Sequence, residues 1–318
     1  MIFPETRHFL QSHEWAEFQK ALGKTVFERS GEGWSYIAIM ERGDGKVGKL
    51  FKRLYVPYGP SYASKPALTH ALNDLEQLAV DAKADYVRVE PVEQHTDKKV
   101  SKLQGYTKAS HDFQPALTLF IDLDKSFDEL KSGMHRTSRY RWNRIERDEI
   151  TFSISYDVKD LDSFIAMMQE TSGRTKATFR EAEYYRTLLK TLGPKKTAGI
   201  AYASQAGDIH VGVLFIDDLE ASTRYYLYTG SFNKARKSGA NAPLVVFLLK
   251  DARDKGIKYF DFFGIAPIDA PSTHRWAGFS AFKRSFGGEE RAFIGTWEKP
   301  IKPLKYKVMH AARKVAAR

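Results

Sequence analysis

The 318-residue chain contains no cysteine. Disulfides, thiolate metal ligands and a cysteine nucleophile are therefore excluded. Long apolar runs are missing too. The longest, Leu244 to Leu249 (LVVFLL), falls far short of the roughly 20 residues a membrane-spanning helix needs. The opening stretch MIFPETRHFLQSHEW lacks the apolar core of a signal peptide, so a cytoplasmic protein is expected. The nine histidines include neither HExxH nor a paired ligand spacing. No metal is expected, and His8 and His13 read as surface residues. Neither a GxSxG elbow nor a Walker A loop occurs, which disfavours α/β-hydrolase and P-loop chemistry. Against these absences stand 42% hydrophobic and 13% aromatic residues, enough to bury a core. The length favours two domains over one. Basic residues outnumber acidic ones, 50 to 39, and the resulting charge of +11 suits a polyanionic partner or an anionic surface.

Along the chain a supersecondary pattern occurs twice. TVFERS (25–30), WSYIAIM (34–40) and KLFKRLYVPY (49–58) alternate apolar and polar residues between the turns GEG (31–33) and RGDG (42–45). A helix from Pro66 to Ala82 follows, with apolar residues at helical spacing, then the strand DYVRVEP (85–91). Later KTAGIAYAS (196–204), IHVGVLFI (209–216), a turn at Asp217-Asp218 and RYYLYTG (224–230) form a second meander. A helix from Pro243 to Asp254 and the strand KYFDFFG (258–264) complete it. Landmarks keep their offset: 173 residues from Asp44 to Asp217, 171 from Gly59 to Gly230, and 173 from Tyr86 to Tyr259. The order matches the GNAT-type acyltransferase fold, in which a helix packs on a mixed sheet and ligand enters a gap between strands. An α+β protein of tandem GNAT-like domains is expected. Between the repeats, 127–150 reads as a helical segment carrying Arg136, Arg139, Arg141, Arg144 and Arg147. Helices near Asp160 and over 181–193 follow, and the tail after Glu298 is basic, with no acid.

Several residue groups carry a chemical reading beside a plainer one. The arginines of 136–147, interleaved with aromatic residues, suit a phosphodiester backbone or form a solvated face. Tyr226 and Tyr228, two apart on one strand, share a face that is either sheet core or the wall of a cleft. Thr178, Arg180 and Tyr184 at a helix entry suit a phosphate group, or are an N-cap with a surface arginine. Arg236-Lys237-Ser238-Gly239-Ala240-Asn241 resembles the acyl-CoA diphosphate loop, with Asn where close backbone approach is wanted. Lys283, between Phe282 and Phe286 and before Gly287-Gly288, is a cation suited to developing negative charge, or a snorkelling surface lysine.

FLQSHEWAEFQ, YVPYGP (55–60), YVRVEP (86–91), MHRTSRYRWNRIER (134–147), TFREAEYY (178–185), YYLYTGS (225–231), FDFFGIAP (260–267) and FKRSFGGE (282–289) together resemble the Fem family (FemABX) of tRNA-dependent aminoacyltransferases. That family builds the interpeptide bridge of bacterial peptidoglycan. The resemblance implies two GNAT-like domains: 1–126 completed by 295–318, and 127–294. It also implies the compact type, without a coiled-coil arm. It places the transition-state lysine on Lys283 and the diphosphate-holding arginine on Arg180, with hydroxyls from Thr178 and Tyr184. The once-proposed base falls on Glu90, and Tyr226 and Tyr228 line the cleft. The family's nucleotide-binding lysine has no direct counterpart after Trp15; Lys20 is the nearest substitute.

The implied reaction is attack by a stem-peptide amine on the ester of an aminoacyl-tRNA. The acceptor is UDP-MurNAc-pentapeptide or lipid II, and no cofactor is required. Arg136, Arg139, Arg141 and Arg144 would meet tRNA, the basic tail would touch the inner face of the membrane or pack back on the first domain as a helix, and a monomer is expected. The rival readings are an acyl-CoA-dependent GNAT N-acyltransferase and a non-catalytic RNA-binding module.

Overall fold

The computed structural model describes residues 7–43, 48–93, 102–175, 178–274 and 276–316. Its backbone divides into two compact units, Met1–Ala116 with Ala292–Arg318, and Leu117–Arg291. The sequence reading put the boundaries after residues 126 and 294, so the strand at 117–122 changes units.

In the first unit, Ser12 caps helix α1 (His13–Ala21), its side chain accepting from the Trp15 N–H. Strands β1 (Thr25–Gly31) and β2 (Trp34–Arg42) form a hairpin registered from Thr25↔Met40 to Gly31↔Trp34. The expected turn at 42–45 lies partly outside the described residues. Strand β3 (Lys52–Val56) follows, then the short β4 (Ser61–Tyr62) on β2. Helix α2 (Lys65–Asp81) starts at a Ser64 cap with proline in its first turn. It buries Ala67, Leu68, Ala71, Leu72, Leu75, Leu78 and Ala79, one stripe of a 3.6-residue period. That helix is the crossover that makes β5 (Tyr86–Val89) parallel to β3. Strand β6 (Thr107–Lys108) lies further out.

The second unit opens with β7 (Leu117–Asp122) and α3 (Phe127–Ser132), the latter held by a Ser126/Glu129 capping box. The arginine-rich segment is not one helix. It breaks at Gly133, Met134 is buried, and the His135 ring accepts from the Thr137 N–H to start α4 (Arg136–Trp142). Turns then lead to β8 (Ile150–Ser155), α5 (Leu161–Thr175) and α6 (Ala182–Leu192). Strands β9 (Ala198–Gln205), β10 (Asp208–Asp218) and β11 (Thr223–Ser231) are antiparallel neighbours. Asp217 and Asp218 are not the turn. Asp217 stays in β10 because Arg224, fully buried on β11, takes both its oxygens at 2.7 Å, and the chain turns after Asp218.

After α7 (Ala235–Ser238), helix α8 (Asn241–Asp254) is the crossover to β12 (Tyr259–Gly264), which runs parallel to β11. Helix α9 (Ala277–Arg284) and β13 (Glu289–Ala292) close the unit. The chain then returns to the first unit as β14 (Trp297–Pro300), antiparallel to β5, and helix α10 (Pro303–Ala316).

The two sheets repeat one plan. The first runs β1-β2-β3-β5-β14-β6; the second runs β8-β9-β10-β11-β12-β7-β13. In each, three meander strands, a crossover helix and a parallel strand are followed by one antiparallel strand from elsewhere in the chain. This is the mixed, helix-flanked α+β arrangement expected of the GNAT fold. In the second unit α8 covers one face of the sheet, with Leu244, Val245 and Leu248 in the core beside Phe215, Phe260 and Phe262. Helix α5 lies on the other face, and two paired glycines make room for it. A Cβ on Gly230 would stand 2.9 Å from the Met168 backbone nitrogen, and one on Gly212 would meet the Met167 side chain at the same distance.

Candidate functional site

Lys283 projects from α9 and is only 8% exposed. Its ammonium donates to the Gly264 carbonyl at 2.8 Å and lies 5.0 Å from the centre of the Phe279 ring. The same helix is tied to the end of β12 twice more. The Ser280 hydroxyl accepts from the Ala266 N–H at 2.8 Å, and Arg284 donates to the Ala266 carbonyl at 2.6 Å. These bonds fix where the cation sits.

Beside it is a residue the sequence reading missed, Asp261 on β12. It is 1% exposed, its Oδ1 accepts from the Phe263 N–H at 2.6 Å, and its Oδ2 has no hydrogen-bond partner. Phe263 adopts φ +62°, in the left-handed region rarely used by bulky residues, two residues beyond the carboxylate it donates to. Pairing of β11 with β12 stops at Tyr225↔Asp261, so the two parallel strands part at this residue. Burial pushes the Asp261 carboxyl up to about 7, although Lys283 and Arg291 pull the other way. Burial pushes the Lys283 ammonium down to about 8, against the pull of Asp261. One signal was available in the sequence: an acid inside the apolar run FDFFG, since carboxylates are almost never fully buried without a partner.

On the sheet face opposite α8, the face that Asp261 shares, Arg180, Tyr184 and Tyr228 come together. The Tyr228 and Tyr184 rings meet edge to face at 6.3 Å, and Tyr185 packs on Tyr228 at 5.2 Å. The Arg180 guanidinium stands 5.3 Å from the Tyr184 ring centre, on the exposed approach to α6. Burial, then the Tyr228 hydroxyl, push the Tyr184 phenol well above its usual range. Thr178 is exposed, and the N-cap of α6 is Glu181, which makes no side-chain cap bond. Tyr226 is not part of this group. Leu214 pairs with Tyr228 but Phe215 pairs with Tyr226, so a bulge at Leu227 breaks the two-residue alternation. Tyr226 therefore faces the α8 core with Phe260 and Phe262, opposite to Tyr228.

The arginines do not share one face. Arg136 is exposed, Arg139 donates to the Ser132 carbonyl at 3.0 Å, and Arg144 pairs with Asp148 at 3.0 Å. Arg141 turns to the loop before α8, where a Cβ on Gly239 would stand 2.8 Å from its guanidinium carbon. In that loop the Ser238 hydroxyl contacts the His210 ring at 2.9 Å and the Ala240 N–H at 3.3 Å. A cleft of about 850 Å³ opens at the other end of β12, by Lys258, Asp124 and Arg253. Arg253 donates there to the Lys125 carbonyl at 2.6 Å and to Asp254 at 3.2 Å.

In the first unit, Glu90 is 2% exposed. Its carboxylate accepts from the Tyr55 hydroxyl at 2.5 Å, the Phe113 and Gln114 N–H groups at 3.2 and 2.9 Å, and the Thr296 hydroxyl. Four donors fill the acceptor directions of a carboxylate, so a substrate proton would have to displace one of them. Burial raises its pKa above the usual range against those donors. Lys20 is at the surface between Glu17 and Glu28, at 2.9 and 2.8 Å. His13 joins these acids to make a group with ligand atoms within 4.8 Å, whose carboxylates the Lys20 ammonium already bridges. His8, expected at the surface, is instead 3% exposed and packs on Tyr58 with ring centres 4.1 Å apart.

Two GNAT-like units in one chain, one holding a buried lysine where two parallel strands part, define a tandem GNAT-like transferase. The FemAB family model matches residues 3–210 and 208–314, and the chain belongs to the FemAB family. A curated relative, the Lipid II:glycine glycyltransferase of Staphylococcus aureus (strain USA300), is 23% identical, with 96% of this chain and 90% of the relative covered. That alignment runs over 389 residues, more than this chain's 318, so the relative carries insertions this chain lacks. Among solved structures FemX matches with a TM-score of 0.82 at 18% identity, covering 96% of each chain. A tandem GNAT protein from the clavulanic acid biosynthesis pathway matches at 0.50 and 12%, covering 87% and 83%.

Proposed function

We propose that the protein moves an amino acid from aminoacyl-tRNA to an amine of the peptidoglycan stem peptide, on UDP-MurNAc-pentapeptide or lipid II. Membership of the FemAB family along nearly the whole chain supports the reading, as does the glycyltransferase activity for which the Staphylococcus aureus relative is named. The single observation that carries the chemistry is the buried Lys283 ammonium beside Asp261.

In this reading the acceptor amine attacks the ester carbonyl, the new C–N bond forms, the C–O bond to the ribose breaks, and the leaving ribose oxygen takes up the proton that the amine gives up. The carbonyl oxygen gains negative charge on the way. A fixed cation in a water-poor site stabilises that charge strongly and without reorganisation. With a pKa of about 8, Lys283 is mostly protonated at neutral pH, and Asp261 acts as the positioning counter-charge that keeps it so. Arg180, with Tyr184 and Tyr228, offers a cation and two phenols to a diphosphate. Glu90 holds β5 to the Phe113–Gln114 segment and to Thr296, a positioning part rather than a free base.

Incubation with a pool of charged tRNAs and each acceptor form, with product mass as the readout, tests the proposal. An acceptor heavier by one aminoacyl residue is expected, and no mass change with any pairing would refute it. The loop 236–241 gives a second reading, acyl-CoA-dependent N-acylation, because α8 starts there without a side-chain cap. Tight CoA binding by calorimetry would favour that reading.

A further inference from the structure

Helix α10 is anchored through one face. Met309 is fully buried with Phe51 and Tyr86, and the Tyr306 hydroxyl donates to Glu298 at 2.6 Å. Lys302 and Lys305 reach the buried Asp85 at 3.0 and 2.8 Å. A helix docked this way on a water-facing protein would turn polar residues outward. This one does not. Leu304 and Val308, one turn apart, are 81% and 61% exposed, and Ala311 continues the same stripe in the open. Leu50, 69% exposed, precedes Phe51, whose ring lies 5.5 Å from the Lys305 ammonium, so it borders the helix. Lys307, beside Val308 in the helix, and Lys49, beside Leu50 in the chain, are exposed too. From Lys299 to Arg318 the sequence has seven cations and no acid.

We propose that Leu304, Val308 and Leu50, with these lysines, form a docking face for an anionic lipid bilayer, α10 lying in the plane of the headgroups. Apolar residues between lysines on one helix face are what an interfacial helix needs: side chains to enter the acyl boundary and cations to meet headgroup phosphates. Charge selects this occupant. A cationic rim complements an anionic surface, and three large apolar side chains make too small a patch for a stable protein interface of about 800 Å² a side. The surface is independent of which group the enzyme transfers, so its test is separate from the product assay.

The experiment is flotation of the full chain with vesicles of phosphatidylglycerol and phosphatidylcholine, and with phosphatidylcholine alone. Truncation would strip Asp85, Phe51 and Tyr86 of their partners, so point changes at exposed positions are used instead. The wild type is expected to float with the anionic vesicles only. Leu304→Glu combined with Val308→Glu should lower the floated fraction about tenfold, with circular dichroism and melting unchanged. Equal flotation of wild type and variant, or a wild type that stays down with anionic vesicles, overturns the proposal. So does a concentration-dependent dimer, lost in the variant, in a protein that does not float.

Discussion

Burial and a counter-charge act against each other at Lys283, and the balance makes the site sensitive to pH. Desolvation lowers its pKa to about 8, and Asp261 holds it up. If the protonated form is the working one, transfer falls as pH rises through about 8. Replacing Asp261 with Asn removes a charge that favours the ammonium, so the fall should move to lower pH. Single-turnover rates across that range check this, and an unmoved profile in Asp261→Asn would remove the counter-charge role. A titration of 13C-labelled lysine, with the Lys283 signal assigned by its loss in Lys283→Met, reads the same shift without catalysis. Lys283 was legible in the sequence because aromatic residues flank it before a Gly-Gly pair. Asp261 left one signal, an acid inside the apolar run FDFFG, but its burial shows only once both faces of the sheet are covered.

Among the elements, α5 depends on close approach to its sheet. Gly230→Ala puts a Cβ against a backbone nitrogen that cannot swing away, so a loss of roughly 1–3 kcal/mol is expected in urea unfolding. In the first unit, Leu75 is fully buried in the stripe of α2, and Leu75→Ala should cost about 2–5 kcal/mol. A variant as stable as the wild type at either position would contradict the packing described. Most elements were legible from spacing: the helix read as Pro66–Ala82 is Lys65–Asp81, and the one read as Pro243–Asp254 is Asn241–Asp254. The bulge at Leu227 was not, since it adds a residue without changing the apolar pattern, and it moved Tyr226 out of the tyrosine group. Continuous basic character likewise hid the break at Gly133, which depends on where Met134 is buried.

For the whole molecule, the charge of +11 is tied to polyanions only if binding responds to salt. Affinity for tRNA should fall linearly on a log–log plot of salt, and removing Arg136 should reduce the slope by about one if it touches a phosphate. Arg144, neutralised by Asp148, should change it little. The duplicated plan was readable from offsets near 173 residues, whereas the place of β7 in the second sheet was not, because a strand far from its partners in sequence declares its neighbours only in the sheet. The central claim is that Lys283 stabilises the oxyanion of aminoacyl transfer, and single-turnover transfer by Lys283→Met, with acceptor binding measured alongside, tests it most directly. The account predicts binding near the wild-type value and a transfer rate lower by about a hundredfold or more. A Lys283→Met enzyme that binds acceptor and transfers at the wild-type rate would contradict it.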